Sequence, residues 1–177
     1  MIIFKELITD DELFTDSYKL KEVDDGIFIE VECKLYTECT KVDDAMFGGN
    51  KSAEANDEDA EDSSVSGINI VIQNRLQEVG VRKKEYQRYL KLYVRKLVDH
   101  LTQTKPDYVD TFKKKVQPAV KRILENFDDW SFYRGQTDID YENRNEPEGM
   151  LCILGYREDQ VTPYMLFFKD GLIEEKV

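Results

Sequence analysis

The stretch Tyr86-Gln87-Arg88-Tyr89-Leu90-Lys91-Leu92-Tyr93-Val94-Arg95-Lys96-Leu97-Val98-Asp99-His100-Leu101 decides the fold. Tyr86, Tyr89, Leu90, Tyr93, Val94, Leu97, Val98 and Leu101 recur at steps of three and four, which is one apolar face of a helix about five turns long. Downstream, Lys105-Pro106-Asp107 supplies a break, and proline suits a first helical turn because its missing N–H is not needed there. A second helix follows with Val109, Phe112, Val116, Ala119, Val120, Ile123 and Leu124 inward. Residues 82–126 therefore read as a helical hairpin. Pro118 inside the second helix removes a hydrogen bond and crowds the preceding turn, which predicts a kink or a break.

The hairpin also carries a charge asymmetry. Residues 82–122 hold thirteen Lys or Arg and four Asp or Glu, while the whole chain has a net charge of −12. A segment of +9 thus stands on a remainder of −21. Lys84, Arg88, Lys91 and Arg95 make a stripe away from the apolar face, and Lys113, Lys114 and Lys115 add a cluster on the second helix. Charge segregation of this kind suits an acidic partner. The bland alternative is a solvated helix face.

On either side of the hairpin the period changes to two. Ile27, Ile29, Val31, Cys33 and Leu35 alternate with Phe28, Glu30, Glu32 and Lys34, which predicts a half-buried strand with Cys33 in a packing role. Ile2, Ile3 and Phe4 begin another strand, and Asp10-Asp11-Glu12 reads as an acidic turn. Ile68, Ile70 and Ile72 predict a strand over 67–73. Past the hairpin, Trp130 and Phe132, then 150–156, then 161–168 read as strands, with an exposed loop at 134–149. Pro163 lacks a donor N–H and predicts an edge strand or a bulge. Residues 48–66 open on Gly48-Gly49-Asn50, and 54–62 hold six acids with no base and no large apolar group. Such a run cannot offset the entropy of ordering and predicts a mobile acidic loop. Its acids lack the spacing of a calcium-binding EF-hand loop. Strands from both ends with an inserted hairpin make an α+β domain with a mixed or mainly antiparallel sheet.

Composition excludes several classes. The chain has 177 residues, 41% hydrophobic and 35% charged, which suits one domain over 1–177 with a real core. Its acidity argues against nucleic acid and anionic membrane as partners of the whole molecule. No apolar run approaches the roughly 20 residues of a membrane helix, and residues 1–5 lack the order of a secretory signal. Cys33, Cys39 and Cys152 are odd in number and form no CxxC, which points to free thiols in a reducing compartment. His100 is the only histidine and sits in the helical pattern, so it reads as a surface or boundary residue rather than part of a catalytic relay. There is no phosphate-binding glycine motif, and no acid–base pair or nucleophile of an enzyme.

Several blocks in order resemble the translationally controlled tumour protein family from end to end. They are Met1-Ile2-Ile3-Phe4-Lys5, Asp10-Asp11-Glu12-Leu13, Phe47-Gly48-Gly49-Asn50-Lys51-Ser52-Ala53-Glu54, Tyr156-Arg157-Glu158-Asp159, Val161-Thr162-Pro163-Tyr164 and Glu174-Glu175-Lys176. A second family signature, an aromatic pair then x-Gly-Glu, appears as Phe132-Tyr133-Arg134-Gly135-Gln136, with Gln136 in place of the glutamate. The resemblance implies a twisted β body, a β-tent like that of the small Rab-binding exchange-factor-like proteins, with a helical hairpin and a flexible acidic loop.

In function it implies a cytoplasmic, non-enzymatic protein of growth, translation and survival. The implied partners are a Rheb-type small GTPase, the translation elongation factor that delivers aminoacyl-tRNA, tubulin in microtubules, and survival proteins of the Bcl-2 class. Weak calcium binding is also implied, with no other cofactor. The position tied to GTPase contact is Glu12. The region tied to tubulin and calcium overlaps the hairpin from Val79 to Leu124, where a basic stripe suits tubulin better than calcium. Ser63 or Ser64 stands for the loop phosphorylation site, whereas Ala45 replaces the serine of a second one. Val177 replaces a terminal cysteine that bridges dimers in many members, so the expectation is a monomer.

Overall fold

In the computed structural model, which describes residues 1–39, 64–137 and 149–177, eleven strands and three α-helices are found. The strands are β1 (Ile2–Glu6), β2 (Glu12–Thr15), β3 (Leu20–Val23), β4 (Phe28–Glu32), β5 (Leu35–Cys39), β6 (Ser64–Ile68), β7 (Gln77–Val79), β8 (Ser131–Arg134), β9 (Cys152–Tyr156), β10 (Pro163–Phe168) and β11 (Leu172–Lys176). The helices are α1 (Asn69–Gln73), α2 (Lys83–Thr104) and α3 (Val109–Glu125).

The main sheet has the order β3-β4-β10-β9-β8-β7, a second sheet is β11-β1-β2, and β5-β6 form a ribbon. Every pairing is antiparallel. The α+β expectation therefore holds, with the hairpin inserted between β7 and β8.

Aromatic side chains join the two sheets to the hairpin. Phe14 packs between Phe4 and Phe167, with both centroids 4.6 Å away. Phe168 links Phe28 at 4.8 Å to Tyr93 of α2 at 5.6 Å. Tyr86 lies 4.4 Å from Phe132 of β8. The helix face predicted from spacing is the buried one: Tyr86, Tyr89, Leu90, Tyr93, Leu97 and Leu101 are at most 4% exposed. On α3, Phe112, Val116, Ala119 and Ile123 are likewise buried. Removing such an aromatic or aliphatic group costs about 1.5–3 kcal/mol in transfer alone.

Four local expectations are corrected. Residues 69–73 are the helix α1, not the continuation of a strand. The Asn69 side-chain oxygen accepts from the backbone N–H of Lys34 (3.0 Å) and of Ile70 (2.8 Å), which stops the β5-β6 ladder at Leu35 and Ile68 and starts a helical turn. The predicted strand 27–35 is likewise divided, into β4 and β5. Phe28, on the supposed polar face, is fully buried against Phe168, whereas Leu35 is 67% exposed.

Pro163 does not mark an edge: β10 lies between β4 and β9 in the middle of the main sheet. It is tolerated because it is the first residue of the strand, where only its carbonyl is needed, and that carbonyl accepts from Cys33 N–H at 3.2 Å. Pro118 does not break the second helix, which runs through it from Val109 to Glu125. Pro118 itself is exposed. Water can therefore satisfy the carbonyl one turn earlier, at Lys114, which is also exposed.

The packing role of Cys33 holds. It is buried, its Sγ lies 3.4 Å from Val31 O, and burial pushes its thiol up to about 12. Cys152 is also buried and free. The acidic run 54–62, with Ala45, Ser63 and most of the predicted 48–66 loop, lies outside the described residues. Ser64, Val65 and Ser66 belong to β6.

Candidate functional sites

The acidic turn sits between β1 and β2 and is held from below by a buried carboxylate. Glu6 is 1% exposed. Its Oε2 accepts from the N–H groups of Ile8 (2.8 Å) and Thr9 (2.7 Å), and its Oε1 accepts from Tyr93 Oη of α2 (2.9 Å). Burial raises its pKa, opposed by those three hydrogen bonds. The backbone closes the same turn, with Asp10 N–H donating to Glu6 O and Glu6 N–H donating to Asp11 O. Asp10 takes a left-handed conformation at φ 62°, which aspartate tolerates better than most residues.

Asp11 is also used internally. Its Oδ1 accepts from Thr137 Oγ1 at 2.7 Å and its Oδ2 from Thr137 N–H at 2.9 Å. Those bonds bring the two signatures, Asp10-Asp11-Glu12 and Phe132 to Gln136, onto one surface. They also explain Gly135, since a Cβ there would lie 2.6 Å from Asp11 Oδ2. Arg134 donates to the carbonyls of Gly135, Gln136 and Thr137, which fixes the far side of the contact.

Glu12, in contrast, is exposed at the start of β2 opposite Lys5. Lys5 itself pairs with Glu175 at 2.6 Å, and that hydrogen bond holds its pKa up. Of the acids at 6, 11 and 12, only Glu12 is exposed. We expect Gly135→Ala to lower stability by about 1–3 kcal/mol through this collision. Pairing it with Asp11→Gly, which removes the Cβ as well as the carboxylate, should recover part of the loss in a double-mutant melt.

The second candidate surface is the hairpin. Lys84, Arg88, Lys91 and Arg95 are all exposed and follow one ridge of α2 at helical spacing. Lys91 and Arg95, with Gln87, rim a groove of about 540 Å³ between α2 and α3; Leu90, Val94, Val116, Val120 and Leu124 line its apolar part. The lysine cluster is not uniformly exposed. Lys113 and Lys114 are exposed, whereas Lys115 is half-buried with its ammonium 6.0 Å from the Tyr108 ring. Among the described residues no group of three or more His, Cys, Asp and Glu could hold a metal ion. No described helix is long and apolar enough to cross a membrane.

The family model of the translationally controlled tumour protein matches residues 1–173. The chain belongs to that family. It is 48% identical over 178 residues to the translationally-controlled tumor protein homolog of Xenopus laevis and 43% identical to the mouse protein, with 99% of each chain covered in both cases. The solved structure of the Translationally Controlled Tumor-associated Protein of Schizosaccharomyces pombe superposes with a TM-score of 0.78 at 40% identity and full coverage of both chains. That of the Caenorhabditis elegans family member gives 0.70 at 30% identity, covering 100% of this chain and 99% of that one. The family read from the sequence blocks is therefore shown, and so is a fold of helices with antiparallel sheet shared with its solved members. Membership supports a regulatory, non-enzymatic protein.

Several residues that build these sites carry no local signal. Glu6 looks like one more strand acid, and Tyr93 like one more core aromatic; their bond spans 87 positions. The Asp11–Thr137 contact spans 126. The bidentate pair of Arg122 with Asp24, at 2.6 and 3.1 Å, ties α3 to the turn before β4 and is equally silent in the sequence. A glycine inside a signature, Gly135, was the one available hint of close approach.

Proposed function

We propose that this protein regulates a small GTPase of the Rheb type, or the elongation factor that delivers aminoacyl-tRNA, through the ridge carrying Glu12. The observation that supports the reading is the division of labour among the acids: Glu6 and Asp11 are bonded internally while Glu12 is left exposed on a turn held by both. A carboxylate so presented can compete for the protein groups that hold Mg²⁺ and phosphate in a nucleotide site. The order of the turn is set before binding, which lowers the entropy cost of association.

The test is release of fluorescent GDP from each purified GTPase, with and without the protein. Faster release that Glu12→Ala removes supports exchange; slower release that it removes supports a dissociation inhibitor. Glu12→Ala should leave stability within about 0.5 kcal/mol, as for an exposed side chain. Unchanged binding by that variant overturns the reading.

A second reading is favoured by the hairpin groove, with its apolar lining and the cations Lys91 and Arg95 on its rim. It suits an acidic partner such as the tubulin surface of microtubules, with Lys84, Arg88 and Lys113 extending the field. Binding through this face should weaken steeply with salt. Charge reversal of Lys84, Arg88, Lys91 and Arg95 should abolish microtubule co-sedimentation; persistence at high salt or in that variant sinks the reading.

A further inference from the structure

A different cleft, of about 460 Å³, opens where the tip of the hairpin meets the two sheets. Phe4, Leu20, Ile29, Leu101 and Leu172 give it an apolar lining, and charged groups from four elements surround that lining: Lys21 and Glu22 of β3, Lys105 at the end of α2, Lys169 and Asp170 of the turn before β11, and Glu174 of β11. The volume lies in the range of a small-molecule site, and the lining is more polar than in most such sites.

On one wall is Asp170, in the short 3-10 turn Lys169–Gly171 between β10 and β11. Its Oδ2 is buried and has no hydrogen-bond partner among the described residues. A buried carboxylate oxygen without a donor is costly. Burial pushes its pKa up against the pull of Lys169, Lys105 and His100. The turn is not free to relax: Lys169 N–H donates to Ile27 O at 3.0 Å, and Gly171 O accepts from Leu7 N–H at 2.9 Å. A Cβ on Gly171 would lie 2.3 Å from Tyr93 Oη, so the backbone there is pressed against α2.

The neighbouring cations divide into two kinds. Lys169 is engaged by Glu22, with Nζ 2.6 Å from Oε1. Lys21, on β3, and Lys105, at the end of α2, line the same cleft, and neither forms an ion pair among the described residues. The cleft thus offers an acceptor, an apolar surface and two cations outside any ion pair among the described residues, together with the carboxylates of Glu22 and Glu174.

We propose that this cleft binds a primary ammonium carried beside a branched apolar group and a carboxylate or first peptide carbonyl. The ammonium would donate to Asp170, the apolar group would rest on Leu20, Ile29 and Leu101, and the oxygen would face Lys105 and Lys21. A free hydrophobic amino acid and the amino end of a peptide share this chemistry. The site is separate from the Glu12 ridge and from the outer groove of the hairpin, so it stands whether or not the GTPase reading does.

The test is a titration of the isotope-labelled full chain, read by backbone amide shifts. The probes are L-leucine, the tripeptide Leu-Gly-Gly, 3-methylbutylamine and 4-methylpentanoate. We expect saturable shifts at residues 20–22, 100–105 and 169–172 with the first two, and none with 4-methylpentanoate, which lacks the ammonium. Tighter binding of leucine points to the free amino acid, and tighter binding of the tripeptide to a peptide end.

Asp170→Asn should weaken binding about tenfold or more, whereas Lys91→Glu on the outer groove should leave it unchanged. Should Asp170→Asn fail to fold, Lys105→Gln at an exposed position serves instead. That variant should weaken leucine and leave the amine probe unaffected. No saturable shift with leucine or tripeptide up to about 10 mM overturns the proposal. So does equal binding by both variants, or equal binding of 4-methylpentanoate.

Discussion

Glu6→Ala should lower the melting temperature by about 10 °C or more, whereas Glu6→Gln should be close to neutral at pH 7. The alanine leaves the part-buried N–H groups of Ile8 and Thr9 and the buried hydroxyl of Tyr93 without their acceptor. Buried groups left unpaired cost about 1–3 kcal/mol each, so a loss of about 3–5 kcal/mol is expected. For a chain of this size each kcal/mol shifts the midpoint by about 2–4 °C. Glutamine keeps an acceptor for the two backbone donors and removes the buried charge.

The two proteins should also differ in their response to pH. The carboxyl of Glu6 is raised above its ordinary 4.5 by burial. A group whose folded pKa is raised contributes stability that is fully present below the unfolded value and lost as pH rises through the folded one. Relative to Glu6→Gln, the wild type should therefore gain stability as the pH falls toward 4.5, and the gain should flatten below it. Chemical unfolding of both proteins across that window is the measurement. A difference independent of pH, or one of opposite sign, would show that Glu6 is not a strained buried carboxylate.

Gly155→Ala is the second large effect. Near the end of β9 its Cβ would come within 2.3 Å of Trp130 Cζ3 and 3.1 Å of Tyr164 Cζ. Trp130 stands edge-on to Tyr164 at 6.2 Å, and the Arg122 guanidinium lies 5.7 Å from its ring. Arg122 in turn grips Asp24. The collision cannot be absorbed by one flexible tip, because the indole is wedged between the strand and α3. A loss of about 2–3 kcal/mol is expected. Trp130 is the only tryptophan, so its emission reports the displacement directly. An unshifted spectrum together with an unchanged melt would contradict the packing described for β9.

The parts of the fold legible in the sequence were those in which burial follows a single local period. Six of the eight predicted positions on α2 are fully buried because one face of an isolated long helix has only one direction to turn. Periodicity failed where two solutions share a spacing. Ile68, Ile70 and Ile72 fit a strand by alternation, but the Asn69 amide bridges to Lys34 and turns the chain into α1. Pro163 was misplaced because a rule about ladder donors does not apply to the first residue of a central strand. Glu12 was named through a family resemblance rather than by any property of its own. Glu6 and Asp11, which hold its turn, depend on partners distant in the chain and were not visible.

The pairing of β1 with β11, from Ile2 opposite Lys176 to Glu6 opposite Leu172, also has a consequence for synthesis. During synthesis β1 can pair early with β2 but lacks its other neighbour until residues 172–176 have followed, and its Glu6 must wait for Tyr93 as well. Contacts of such long sequence separation slow folding, and at about 5–20 residues per second the delay amounts to many seconds. Through that interval Ile2, Ile3 and Phe4 have only β2 beside them. Closure of this sheet therefore comes late, and one edge of β1 stays open until β11 arrives.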